Sequence, residues 1–133
     1  MEDFDRDVWP KIIKILKEMQ DNGEPVETTG VKNKNWIMVI KHDEIIVRSE
    51  KNERGQPNGS PRPVSKWALK EVWTILQKDG EMTRETMYPQ VADENQYRRC
   101  GAVVLGILAL LPSVSVKKIG RISTLFYHVP KNG

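Results

Sequence analysis

The chain has 133 residues, of which 38% are hydrophobic and 29% charged, so it can bury a core and is not disordered by composition. Its single cysteine excludes an internal disulfide and a cysteine-rich zinc site, and its two histidines, His42 and His128, have no metal-ligand spacing. The net charge of +3 is uneven, because residues 1–63 hold 11 basic and 12 acidic side chains whereas residues 64–133 hold 10 and 6, an excess that suits a polyanionic ligand.

Sequence signals for export or membrane insertion are weak. The opening residues, MEDFDRD, are acidic where a secretory signal would be basic. The most apolar stretch, residues 101–111, is about half of the ~20 residues that a membrane span requires. Together with the low cysteine content, these features predict a soluble, cytoplasmic protein that has no membrane partner.

The first predicted element is an amphipathic helix. Asp5 or Asp7 can cap it, its first turn tolerates Pro10, and Asn22-Gly23 ends it. Apolar residues recur at helical spacing along one face: Trp9, Ile12, Ile13, Leu16 and Met19. This face is expected to pack on the strands that follow.

A small antiparallel sheet is predicted next. The runs WIMVI and EIIVR indicate strands over residues 35–41 and 44–49 that are joined at His42-Asp43, and residues 26–29 are a candidate third strand. Both faces are apolar, so we expect the first helix on one side and part of the C-terminal half on the other. Residues 50–63 hold three Pro, two Gly and no large apolar side chain, which indicates a loop or linker. The predicted organisation is an α+β module over residues 1–50, a linker over 51–63 and a second domain over 64–133.

Three helices and a hairpin are predicted in the second domain. Ser65 caps a helix over residues 66–78, Glu81-Met82 is a short strand, and Thr83 caps a short helix that ends before Pro89. A long helix follows over residues 94–111, capped by Asp93 or Asn95, and residues 114–129 alternate as two strands around a turn. The expected core includes the tryptophans and one face of the long helix: Trp9, Trp36, Trp67, Trp73, Tyr97, Cys100, Val104, Ile107, Leu108 and Leu111.

This order of elements resembles a winged helix-turn-helix. The segments that carry the resemblance are SKWALKEVWTILQKDG, EMTRETM, NQYRRCGAVVLGILALLP and VKKIGRISTLFYHV, within residues 64–130. The expected fold is α+β, with an N-terminal helix and a small antiparallel sheet followed by a winged helix of three helices and a two-stranded wing. The layout also bears a weaker resemblance to accessory modules of bacterial restriction and other DNA-transaction proteins.

The resemblance implies double-stranded DNA as the ligand. In winged-helix proteins the third helix enters the major groove with its N-terminal residues, and the wing lies on the backbone or in the minor groove. Arg can pair with guanine and Gln with adenine, whereas phosphate contacts position the protein. The implied base readers are Gln96, Arg98 and Arg99, and the implied phosphate contacts are Thr83, Arg84, Lys117, Lys118 and Arg121.

One face of the long helix departs from this pattern, because it carries the small residues Ala102, Gly106 and Ala109 where a base-reading helix would be polar. Small residues let a neighbour approach the helix backbone closely. We therefore interpret this face as a contact with the N-terminal module or with a second subunit.

Catalysis has little support in the sequence. No nucleophile–His–acid arrangement, phosphate loop or metal pattern is visible, and Asp43, Glu44 and Glu50-Lys51 form only the set of acids and a lysine that most such hairpins offer. No cofactor or metal is expected. The leading hypothesis is non-catalytic binding of double-stranded DNA, as a transcription regulator or a restriction-associated accessory module.

The alternative hypothesis is a protein-interaction module, in which the winged helix docks a protein partner or forms a homodimer. The two hypotheses differ in how the cations are placed. Cations exposed on one continuous face would favour DNA, whereas cations paired with Glu85, Glu94 or the acidic N-terminal half would favour docking.

Overall fold

The computed structural model describes residues 3–29, 33–49 and 61–129. The fold is α+β with an N-terminal helix and antiparallel sheets, which confirms the predicted class at this level. A π-helical turn, Phe4–Val8, comes first. The elements that follow are α1 (Trp9–Asp21), β1 (Val26–Glu27), β2 (Lys34–Ile40), β3 (Glu44–Ser49), β4 (Arg62–Ser65), α2 (Lys66–Asp79), β5 (Glu81–Met82), α3 (Arg84–Met87), a 3-10 turn (Tyr88–Gln90), α4 (Glu94–Leu108), β6 (Val114–Ile119) and β7 (Ile122–Tyr127).

The N-terminal cap differs from the prediction. Asp3, rather than Asp5 or Asp7, accepts a hydrogen bond from the Arg6 amide at 2.9 Å and opens the π-helical turn. This early turn brings Phe4 into the core, where its ring lies 6.2 Å from that of Trp9. The carboxylate of Asp5 is left to form ion pairs with Lys66 and Lys70 of α2, at 3.0 and 2.7 Å.

The N-terminal sheet has four strands in the order β1-β2-β3-β4, all antiparallel. Strand β4 was not predicted, because Arg62 and Pro63 fell within the expected linker. Pro63 lies opposite Ile46 on the edge strand, a position where a missing amide is tolerated. Residues 50–60 of that linker lie outside the described residues.

One face of this sheet is buried and the other is partly open. The inward side chains, which share a core with α1 and α4, are Ile37, Ile45, Val47 and Val64. On β2, Met38 and Val39 are exposed beside a bulge, and Trp36 is half-buried. Within the described residues the second face is therefore covered less than the sequence predicted.

In the C-terminal half, α2, α3 and α4 pack with a three-stranded antiparallel sheet of order β5-β7-β6. Ser65 caps α2 as predicted, and Gly80 ends it in the left-handed conformation, with φ of 80°. Trp73 of α2 meets the ring of Tyr127 edge-on at 5.2 Å and so anchors the sheet. Trp67 was expected in the core but is 47% exposed, because the neighbouring Ala68 takes the inward position.

Helix α4 begins at the predicted place, with Asp93 as its cap, but ends at Leu108 rather than Leu111. The amides of Leu110 and Leu111 donate to carbonyls three residues earlier, which tightens the chain before Pro112. The residues predicted for its core face, from Tyr97 to Leu111, are all buried. This helix belongs to one core that includes residues of both halves.

Replacing Tyr97 with Phe is expected to lower the free energy of unfolding by about 1 kcal/mol. Burial raises the pKa of the Tyr97 phenol, and its neutral hydroxyl donates to the carbonyl of Ala68 at 3.2 Å. Urea denaturation would measure the loss. Tyr88→Phe is the control, because the Tyr88 hydroxyl accepts its hydrogen bonds from Arg84 at an exposed position. Equal midpoints for the Tyr97→Phe variant and the unmodified protein would contradict the assignment.

Candidate nucleic-acid interface

The β6–β7 hairpin carries the three cations that the sequence singled out. Lys117 and Lys118 lie near the end of β6, and Arg121 follows Gly120, whose φ of 65° makes the turn. All three side chains are exposed. Among the described residues none of them forms an ion pair with a carboxylate. They are therefore available to an anionic ligand.

These cations surround the hairpin tip, residues 117–122, rather than sharing one face. Lys117 pairs with Thr124 and Lys118 with Ser123, and neighbouring residues of a strand point to opposite sides. The Lys118 side faces the N-terminal half, since the Ser123 hydroxyl donates to the carbonyl of Thr29 at 2.6 Å. The hairpin cations therefore do not form the single continuous face that would favour DNA over a protein partner.

Two isoleucines at the hairpin tip were missed by the sequence analysis. Ile119 and Ile122 lie opposite each other across the turn and are 60% and 51% exposed. They share a side of the hairpin with Lys117. The signal was present in the segment IGRI, where a tight turn places both isoleucines at the very end of the hairpin.

At the start of α4, the predicted base readers are partly occupied. Arg98 donates to Glu94 at 3.0 Å, and its guanidinium lies 5.0 Å from the centre of the Tyr88 ring. Gln96 is half-buried, and its backbone N–H donates to the Asp93 cap at 3.4 Å, a bond that does not involve the Gln96 side chain. The Arg99 side chain lies outside the described part of the structure.

The short helix α3 brings a second arginine to the same tyrosine. Arg84 donates to the Tyr88 hydroxyl at 2.8 Å, and its guanidinium lies 5.8 Å from the ring centre. The Thr83 hydroxyl caps α3 by accepting from the Thr86 amide at 3.1 Å, so it serves the helix itself. Arg84 and Arg98 thus form an exposed cationic cluster with Tyr88, a residue that the sequence analysis did not select.

An open cleft of about 790 Å³ lies beside this cluster. Its lining includes four polar side chains at the start of α4 and on β4: Arg62, Asn95, Gln96 and Arg98. The carboxylate of Asp93 also lines it. The cleft is thus of mixed charge and is less suited to a polyanion than the hairpin tip.

The small-residue face of α4 packs on the N-terminal half. A Cβ added at Gly106 would lie 2.8 Å from the carbonyl oxygen of Glu27 and 3.3 Å from Val26, both in β1. Ala102 and Ala109, on the same face, are half-buried. Strand β1 therefore occupies the side of α4 that a groove-reading helix would present to DNA.

The described residues hold neither a metal site nor a membrane-spanning helix. No three His, Cys, Asp or Glu side chains in residues 3–29, 33–49 and 61–129 come together as metal ligands. Asp43 is exposed, and Glu44 pairs with Lys41 at 3.2 Å, whereas Glu50 and Lys51 lie outside the description. None of the described helices is long and apolar enough to cross a bilayer.

Comparison of the chain with known protein families, with curated proteins and with solved structures gives no match. Its function is therefore inferred from the order of its elements and from its surface.

Proposed function

We propose that residues 64–130 form a winged helix and that the protein uses it for non-catalytic binding of double-stranded DNA, as a regulator or as an accessory module of a DNA-transaction system. The order helix, strand, helix, helix, strand, strand supports the assignment, as does the sheet order β5-β7-β6. In this reading α4 is the third helix and the β6–β7 hairpin is the wing.

The observation that carries the proposal is the exposed positive charge of the wing. Lys117, Lys118 and Arg121 extend from it with no acidic partner among the described residues. Each phosphate that such a side chain neutralises releases a condensed counterion, which drives binding. Arg84 and Arg98 supply further positive charge at the junction of α3 and α4.

The packing of β1 defines the mode of binding that we propose. Because Gly106 lies against Glu27, the middle of α4 has no room for base pairs. Only its first turn and the wing remain for the DNA, and most of their contacts would be to phosphates. We therefore propose binding with little dependence on base sequence, a mode in which electrostatic contacts supply most of the affinity.

The test is a titration of the purified protein against random-sequence duplex DNA, followed by fluorescence anisotropy at several salt concentrations. We expect the logarithm of the affinity to fall linearly with the logarithm of the salt concentration, with a slope of about −0.9 for each phosphate contact. An absence of binding at low salt by the folded protein would contradict the proposal.

Replacing Glu94 with Gln is expected to strengthen DNA binding about twofold, the equivalent of the roughly 0.3–0.5 kcal/mol that an exposed ion pair within one helix contributes. The change removes a carboxylate from the interface and frees Arg98 from its ion pair. Anisotropy titration would measure the gain. Glu18→Gln, an exposed change of the same charge on α1, is the control. An equal gain from the control would mean that only the net charge matters.

A protein partner is the second candidate, favoured by the pairing of Arg98 with Glu94 and by the placement of the hairpin cations on more than one face. This pair is exposed and belongs to a single helix, a kind of contact that contributes only about 0.3–0.5 kcal/mol. A phosphate could therefore displace Glu94 at little cost. For this reason we rank DNA above a protein partner.

A further inference from the structure

The tip of the β6–β7 hairpin exposes two apolar side chains among its cations. Ile119 and Ile122 are directly opposite each other and flank the turn residues Gly120 and Arg121. Both are more than half exposed, whereas Leu125 on the same hairpin is fully buried. No described part of the core covers the two isoleucines, so they are available to a ligand.

We propose that the hairpin tip enters the minor groove of duplex DNA, where Ile119 and Ile122 wedge against the base pairs and bend the duplex. This inference rests on the proposed function and adds to it the inserting residues and a distortion of the ligand. Architectural proteins that bind the minor groove commonly insert apolar side chains between base steps and so kink the duplex by about 20–90°.

The charges of the hairpin fit this ligand. Lys117 and Lys118 project from opposite sides of one strand, just behind Ile119. The minor groove is about 6 Å wide and is walled by a phosphate strand on each side. A ribbon that enters tip first can therefore bring one lysine to each wall. Arg121 lies in the turn itself and would accompany the isoleucines into the groove.

Neighbouring elements restrict the direction of approach. Asp79 and Glu81 line a groove together with Ile119, on the side of the hairpin next to α3. On the other side the Ser123 hydroxyl donates a hydrogen bond to the carbonyl of Thr29, so the N-terminal half occupies that flank. A duplex lying along either flank of the hairpin would meet these carboxylates or the N-terminal half, whereas the tip, where both lysines are exposed, is open to DNA.

The test uses a random-sequence duplex of about 30 base pairs, far shorter than the persistence length of about 150 base pairs and therefore nearly straight when free. A donor and an acceptor dye at its two ends report bending by energy transfer, and anisotropy of the donor reports binding in the same sample. The proteins are the full chain, an Ile119→Thr/Ile122→Thr variant and a Val39→Thr control. Val39 is likewise exposed and β-branched but lies in the N-terminal sheet, and thermal unfolding verifies that every variant is folded.

We expect the unmodified chain and the control to raise the energy transfer. The double variant should still bind, with the same salt slope because its cations remain, but should lose most of this rise. If the unmodified chain binds without a change in energy transfer, the wedge is overturned and the proposed function stays intact. The same conclusion follows if the double variant bends the duplex as much as the unmodified chain does. An absence of any anisotropy change with the unmodified chain would overturn the proposed function, and the wedge with it.

Discussion

Replacing Lys117, Lys118 and Arg121 together with alanine is expected to weaken binding to random-sequence duplex DNA by about 500-fold at 0.1 M salt. Each phosphate contact contributes a factor of about eight at this salt concentration, because the affinity scales with the salt concentration to the power of about −0.9 for each contact. The slope of the salt dependence should also become shallower by about three units. Anisotropy titrations of both proteins would measure the two effects.

The control for this variant removes the same charge from another surface. Lys11, Lys14 and Lys17 are exposed on α1. Their replacement with alanine removes three positive charges, which gives the same net charge as the triple wing variant. We expect this control to keep most of the unmodified protein's affinity for the duplex DNA. Similar losses from the two triple variants would mean that net charge, and not the wing, determines binding.

Replacing Gly106 with Val is expected to lower the free energy of unfolding by about 3 kcal/mol, the upper part of the usual range for an overpacked core. The first carbon of the new side chain would lie 2.8 Å from the Glu27 carbonyl oxygen. That oxygen belongs to the backbone of β1 and cannot turn aside as a side chain would. Helix α4 and β1 must therefore separate, which opens the contact between the two halves. Urea denaturation would measure the loss.

Gly101→Ala is the matched control for this contact, because Gly101 lies in the same helix. Its added Cβ would meet the end of the flexible Met87 side chain, at 3.0 Å, and alanine favours a helix over glycine by about 1 kcal/mol. We expect a stability within about 1 kcal/mol of the unmodified protein. If Gly106→Val were tolerated equally well, the close packing of β1 on α4 would be contradicted.

Local patterns in the sequence were sufficient to predict most of the helices and strands. Apolar spacing predicted α1, α2 and α4, and the capping residue Ser65 was correct because its hydroxyl bonds only three residues along the chain. Strand β4 was missed because it is formed by pairing with β3. Its own residues, Arg62, Pro63, Val64 and Ser65, do not signal a strand.

The contacts between surface side chains were less predictable, because they depend on how the helices and strands pack against each other. The pairing of Arg98 with Glu94 was one of the alternatives that the sequence left open, and their spacing of four residues in a helix accounts for it. The stacking of Arg84 and Arg98 on Tyr88 depends on the angle between α3 and α4, which no local pattern gives. Strand alternation placed Lys117 and Lys118 on opposite sides of the hairpin, but only the folded chain reveals that one side adjoins Thr29.

The most direct test of wing-mediated DNA binding is an NMR titration of the isotopically labelled protein, whose mass of 15.3 kDa suits the method, with a random-sequence duplex. We expect the amide signals of residues 116–123 to shift first and furthest, together with those near Arg84 and Arg98, while the signals of α1 stay in place. Shifts confined to α1 or to the N-terminal sheet would contradict the account. So would a spectrum that is unchanged at low salt with the duplex in excess.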